Sequence, residues 1–520
     1  MSGDLDPTWG AGAVALVVVA TLVISTWGLR FSRTTSDFFV ASRSVKPGLN
    51  ASAIGGEYVS AASFLGVAGL VMAFGAEMLW YPVGWTAGYV VLLALVAAPL
   101  RRSGAYTLPD FAEARLASGT VRAACALLVV AVGWLYLLPQ FQGAGITLTA
   151  VTGAPRWLGG LVVAVVVLAG VASGGMRSIT FVQAFQYWLK LTALLAPLAV
   201  LAVVWLGDGR PLPDDLATGS GTGDDGWSTP FGGGTSGLSD GPEGLYLTYS
   251  VIVATFLGAM GLPHVVVRFY TNPDGRAARR TTLGVLGLLG LFYLLPPVYG
   301  ALGRVYGADD GAGGADTVVL RLPGLMTDGT TADALTAVLT AGAFAAFLST
   351  SSGLTIAVAG VLSQAVTRSR HATRGLGPVA AFRVAAVLAA GVPCLAALAA
   401  PGLPVARSVG LAFAVAASTF CPLLVLGIWW RGLTAAGALA GLVVGGIGSF
   451  VGVVAALVLG SASGEGWGVA LVTQPAAWSV PLAFATMVAV SRATRGRVPE
   501  GVDRFMVRLH TPEAVELDRG

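Results

Sequence analysis

Apolar residues recur in blocks of roughly 20 along the whole chain, parted by short clusters of charge, proline and glycine. A block of that length crosses a hydrocarbon core about 30 Å thick when it rises about 1.5 Å per residue as an α-helix. Breaking the chain at those clusters gives thirteen predicted segments: 9–29, 48–73, 78–100, 121–149, 157–173, 178–206, 245–269, 281–303, 332–366, 377–400, 405–429, 433–460 and 473–491. Between segments six and seven, 207–244 is rich in Gly, Asp and Ser and reads as a flexible external loop. The tail from Arg492 is polar and reads as a solvated cytoplasmic end.

Composition agrees with the pattern. Of 520 residues 55% are apolar and 11% charged, with a mean hydropathy of +0.78. A soluble domain carries about a quarter charged residues, so this chain lacks the surface to stay in water. It reads as an all-α polytopic membrane protein. The first block, 11–28, has no basic run before it (Asp4 and Asp6 precede it) and no small-residue cleavage site, so it is expected to be a retained span.

Lys and Arg collect in cytoplasmic loops, which tests the count. With the N-terminus outside and the C-terminus inside, cytoplasmic stretches receive 24 of the 30 basic residues. Outer stretches receive Arg156, Arg210, Arg304, Arg321 and Arg407, and Lys190 lies within segment six. A miscounted helix would invert this asymmetry downstream of the error. The net charge of +4 follows from the same loops and implies no nucleic-acid partner.

Cys125, Cys394 and Cys421 fall in apolar runs, with neither metal spacing nor a disulfide framework. His264, His371 and His510 are scattered, so neither a zinc site nor a catalytic triad has a nucleus. No GxxxxGK[ST] loop marks an ATP-driven pump. No enzymatic site and no organic cofactor are expected.

Polar residues and helix breakers at membrane depth locate the function, because each unsatisfied backbone group there costs several kcal/mol. Segment two carries AIGGEYVSAASFLG, in which Gly55-Gly56 precede Glu57, Tyr58, Ser60 and Ser63. Entering near Pro47, Glu57 lies about 15 Å deep, close to the midplane. The glycines alone also fit a close helix-packing face, but a midplane carboxylate is a functional candidate. Segment seven is interrupted by Gly258, Gly261 and Pro263, just after Thr255. Two breaks five segments apart match the opening helices of two inverted repeats. In segment nine, Ala346, Ser349 and Thr350 share one helical face and offer neutral oxygens to a monovalent cation. Back-bonding of those hydroxyls to their own helix is the alternative.

The stretches DFFVASRSVKPGLNASAIGGEYVSAASFLGVAGL, GGMRSITFVQAFQYWLK, GAMGLPHVVVRFYTNPD and AFLSTSSGLTIAVAG together resemble the sodium:solute symporter family, and within it the acetate/monocarboxylate (cation acetate symporter) branch. The resemblance covers nearly the whole chain. It implies a LeuT-type 5+5 inverted-repeat core, with segments two to six (48–206) as the first repeat and seven to eleven (245–430) as the second. Residues 1–30 and 431–491 would be peripheral, and 492–520 the tail. It also implies sodium held by carbonyls of Gly56, Val59 and Ala346 and the hydroxyls of Ser349 and Thr350. A small carboxylate substrate would lie beside it, near Ser60, Ser63, Thr255, Phe256 and Gln140, facing half-helix N-termini that favour anions. Two departures stand out: Tyr58 follows Glu57 where several relatives are polar, and Gln183 stands where some carry an acid. One sodium per substrate is therefore expected.

Lys190 lies about 18 Å along segment six, within about a turn of Glu57 in depth. Opposite charges at midplane usually pair, so Glu57 and Lys190 are expected to form a buried pair. Separate cavities, or a snorkelling lysine, are the alternatives. The reading is uptake of acetate, propionate or pyruvate with sodium, by alternating access in a bacterial inner membrane surrounded by lipid. A protonatable lysine leaves proton coupling open, although two hydroxyls in segment nine favour sodium. A sensor built on a transporter fold would need a signalling module, for which the 29 residues from Arg492 are too few. The oligomeric state is not legible.

Overall fold

The computed structural model is helical throughout and describes residues 6–28, 43–213, 227–231, 242–307, 314–368, 377–399, 405–459, 466–513 and 515. Helix occupies each predicted segment within those residues. Among the described residues, eleven stretches are long and apolar enough to cross a membrane. One of them, Ala62–Arg102, carries the end of segment two and all of segment three, parted by a turn at Gly75–Leu79. Segment five is the shorter apolar helix Arg156–Ala172. Large apolar side chains such as Leu127, Val203 and Leu395 stand exposed on the outside of the bundle, as a lipid-facing surface requires.

Segments five and six are two helices within Arg156–Gly207, parted by a kink at Gly175. There φ is +58° and ψ −164°, a conformation that glycine adopts without a Cβ penalty. Both predicted breaks exist. Segment two runs as helix Pro47–Tyr58, opens at Val59 (φ −70°, ψ 92°), and resumes through a π-turn at Ala62–Gly66 into Val67–Phe74. Segment seven runs as Pro242–Gly261, opens at Leu262 (φ −72°, ψ 118°) and restarts at Pro263–Phe269. Pro263 has no N–H to continue the ladder but suits the first turn of a new helix. Gly258, expected to interrupt segment seven, does not. It packs against the Phe413 carbonyl of segment eleven instead.

Segment nine (Gly329–Arg368) is unbroken and passes through the centre of the bundle, where Ala343–Leu348 are fully buried. It packs on segment six, which in turn packs on the first half of segment two. This three-way contact brings the ion-site candidates together.

Two peripheral expectations change. Most of 207–244 lies outside the described residues. Within it, however, Trp227 is buried on the C-terminal end of segment two, with Nε1 donating to the Val71 carbonyl at 2.8 Å. The tail is not simply solvated. Val502–His510 is a helix whose Val502, Met506 and Leu509 are buried, a spacing that sets them on one face. Arg508 Nε donates to the Arg102 carbonyl at 3.1 Å, and Glu513 accepts from Gly275 N–H at 2.8 Å.

A pH-sensitive contact lies between segments eight and nine, where Asp316 in the turn Ala315–Thr317 accepts the Val405 N–H at 3.0 Å. Burial pushes this carboxyl up from 3.8 to about 6, against the opposing pull of that N–H. The folded state thus holds the proton more tightly than the unfolded chain. Stability from this group is fully present below 3.8 and is lost as pH rises through about 6. Thermal midpoints should fall from about pH 5 to about pH 7 in the wild type, and that fall should shrink in Asp316→Asn. An equal fall in both would assign it to other groups.

Candidate functional site

Opening segment two frees carbonyls that a continuous helix would have used. Gly56 and Val59 carbonyls both accept from Lys190 Nζ, the latter at 2.6 Å. Lys190 also donates to Ser349 Oγ at 2.6 Å, and Ser349 Oγ donates to its own Ala346 carbonyl at 3.1 Å. Thr350 Oγ1 instead donates to the Glu57 carbonyl at 2.7 Å. All five residues expected around sodium therefore meet, but an amine stands among them. Of the two segment-nine hydroxyls expected to favour sodium over a lysine, Lys190 uses one, Ser349, and Thr350 bonds elsewhere.

The expected Glu57–Lys190 pair is not formed. Glu57 Oε2 accepts from Arg268 Nε at 2.7 Å, with both side chains almost completely buried. Arg268 Nη1 donates to Thr180 Oγ1 at 2.9 Å and Nη2 to Gln183 Oε1. The Gln183 amide then donates to the Ser349 carbonyl at 2.9 Å. Arg268 sits in the restarted helix of segment seven, so one guanidinium joins segments two, six and seven. Its fork of five donors suits several planar acceptors at once, where an ammonium would not. The sequence displayed Arg268 within GLPHVVVRFYT, where the charge count set it among the loop residues and left Lys190 as the one basic residue within a segment.

The carboxylate candidates divide. Gln140 Oε1 accepts the Ala61 N–H at 3.1 Å, so it satisfies backbone opened by the break. Ser63 and Tyr293 hydroxyls share a hydrogen bond of 2.7 Å, and Ser60 is buried beside Tyr136. The Thr255 hydroxyl donates to the Val251 carbonyl at 2.7 Å and packs against Gly84. Phe256 is partly exposed.

What sequence reasoning missed is a set of rings around Phe413 of segment eleven. Tyr58, Trp85 and Tyr136 lie with centroids 6.1, 5.7 and 6.0 Å from it. Tyr89 stands edge-on to Tyr58 at 4.9 Å, Tyr293 is 5.8 Å from Trp85, and His264 is 5.2 Å from Tyr136. The cluster draws on segments two, three, four, seven, eight and eleven and lies at the two breaks. Trp85 Nε1, Tyr89 Oη and both His264 nitrogens are buried without a hydrogen-bond partner among the described residues. Buried donors are ordinarily paired, so such a group marks a place for a ligand or water.

Membrane-length apolar helices, two of them broken around buried polar groups, are the features of a membrane carrier of solutes. A model of the sodium:solute symporter family matches residues 38–445. The uncharacterized symporter YwcA of Bacillus subtilis is 31% identical over 487 residues, covering 90% of this chain and 91% of that one. The monocarboxylic acid transporter of Corynebacterium glutamicum is 32% identical over 504 residues, covering 91% and 89%. Among solved structures, a Na+-coupled sialic acid symporter in a substrate-bound outward-open state superposes with a TM-score of 0.70 at 13% identity, covering 93% and 97%. Mhp1, a nucleobase-cation-symport-1 family transporter, gives 0.52 at 14% identity, covering 92% and 99%. These two share the fold.

The chain belongs to the sodium:solute symporter family. Sodium-coupled symport is a defining feature of that family, so the protein is a secondary active, sodium-coupled symporter and not an enzyme. It is a multi-pass membrane protein, consistent with bacterial inner-membrane transporters.

Proposed function

We propose that this carrier takes up a short monocarboxylate of the acetate, propionate or pyruvate class together with sodium. The observation that carries the reading is the ring cluster at the breaks. Its rings stand close together at the two breaks, and it holds the unpartnered donors Trp85 Nε1–H and Tyr89 Oη–H. Donors in a dry apolar site suit a carboxylate bearing a small apolar tail. The Corynebacterium relative, by its name a monocarboxylic acid transporter, supports the same class.

In this reading the two breaks open two inverted repeats, the N-terminus lies outside, and the carrier works by alternating access. Sodium at Gly56, Val59, Ala346, Ser349 and Thr350 would fix segment two against segment nine and so complete the ring site. By linkage, substrate then strengthens sodium binding to the same degree.

Labelled acetate and pyruvate uptake into proteoliposomes, with sodium and proton gradients imposed separately, tests this. Uptake indifferent to both gradients would reject symport. Tyr89→Phe and Trp85→Phe each remove one donor to a charged group, and should raise KM about tenfold or more. Unchanged KM in both would move the substrate elsewhere.

A further inference from the structure

Lys190 is fully buried at the middle of segment six. Its face of that helix includes Gln183 and Tyr187, which lie seven and three residues before it and press on Gly56 and Gly55. The same face delivers Nζ to the opened end of segment two. An ammonium has three N–H donors and no acceptor. Here the three meet three acceptors: the Gly56 carbonyl, the Val59 carbonyl and Ser349 Oγ. Two of these are backbone groups released by the break, so the lysine satisfies what the break exposes.

The acceptors come from three of the five residues assigned to sodium. Ala346 is one bond further back through the Ser349 hydroxyl. Sodium needs the oxygen lone pairs that Nζ now uses, and two cations on one set of carbonyls would repel. Compensation from nearby charge is limited. The charged groups near Nζ are Glu57 on segment two and Arg268 on segment seven, and these neutralise each other. Segment one (Pro7–Gly28) and residues 343–357 of segment nine contain no charged side chain. Tyr187 and Tyr299 donate to the carbonyls of Leu288 and Leu194.

We propose that the Lys190 ammonium and sodium are mutually exclusive occupants of one site, so that the lysine is a tethered cation closing the break whenever sodium does not. The proposal rests on the sodium reading of those five residues and adds a competitor built into the chain. It gives the ion-free carrier a closed segment two, because the released carbonyls remain paired.

Binding of radioactive sodium to the purified full-length protein, without substrate, tests the competition, and hydrogen exchange of residues 59–64 reads the break independently. Lys190→Met should bind sodium about tenfold or more tightly than wild type, since a competitor is gone. In sodium-free buffer the variant should exchange faster at 59–64, and sodium should restore protection. Lys190→Gln, which keeps polarity without charge, should behave like the Met variant in sodium binding. Equal sodium affinity in wild type and both variants overturns the proposal. So does loss of sodium binding in both folded variants, which would make the lysine a helper. If no form binds sodium, the sodium reading of the five residues fails, and mutual exclusion with it. Unchanged exchange at 59–64 overturns the closing role. A carboxylate that is not transported affects neither readout.

Discussion

Arg268→Ala is expected to cost about 3–5 kcal/mol of stability, the range for removing one partner of a buried ion pair. Glu57 would keep its place with no partner for Oε2, and Oε1 already lacks a hydrogen bond among the described residues. Thr180 and Gln183 would lose their guanidinium contacts as well. The Gln183 amide would then hold the Ser349 carbonyl less firmly, one residue from Thr350 and its bond to segment two. Loss of transport should accompany the loss of stability. The reverse deletion, Glu57→Ala, strands the guanidinium and should also be severe. Replacing both by apolar residues should cost much less than the sum, because a buried pair recovers little beyond its own desolvation. Thermal unfolding of the four proteins closes the cycle. Strictly additive losses would mean that the two side chains stabilise the bundle separately.

This pair also shows where the sequence stopped being legible. The class of protein, the position of nearly every helix and both broken segments could be read from hydropathy, glycine and proline, which act locally. The oxygen face of segment nine was readable too, since Ala346, Ser349 and Thr350 are fixed by helical spacing. Partner choice was not. Glu57 and Lys190 both lie near the midplane, and depth alone favours pairing them. The structure gives Glu57 to Arg268, 211 positions away, because the break at Leu262 redirects segment seven inward. Only packing decides whether an arginine at a segment edge turns into the bundle or out to water. The rings around Phe413 were hidden for a related reason. Tyr58, Trp85, Tyr136 and Tyr293 sit in apolar runs, where an aromatic is ordinary core, and only their convergence gives them a role. The tail helix differs, since its one-sided spacing of Val502, Met506 and Leu509 was visible beneath the high charge.

Gly56→Ala is expected to disable the site through the backbone alone. A Cβ at Gly56 would stand 2.1 Å from the Gln183 carbonyl oxygen and 2.9 Å from its carbon. Both atoms belong to the main chain of segment six, so no side chain can rotate away, and segments two and six must part. Overpacking of this kind costs about 1–3 kcal/mol, or more where the backbone resists. The functional loss should exceed the loss of stability, because separation acts where the two helices are joined by Lys190. Its bonds to Gly56, Val59 and Ser349 all require the present approach, and hydrogen bonds weaken steeply outside their narrow range of distance and angle. Gly48→Ala supplies the comparison. It lies in the same half-helix with nothing within 4 Å of an added Cβ, so the change there should be neutral or favourable by up to about 1 kcal/mol. Thermal midpoints and sodium-dependent uptake measured side by side decide the matter. A Gly56→Ala carrier with wild-type stability and uptake would show that segments two and six can separate freely, and that the ion site does not depend on their contact.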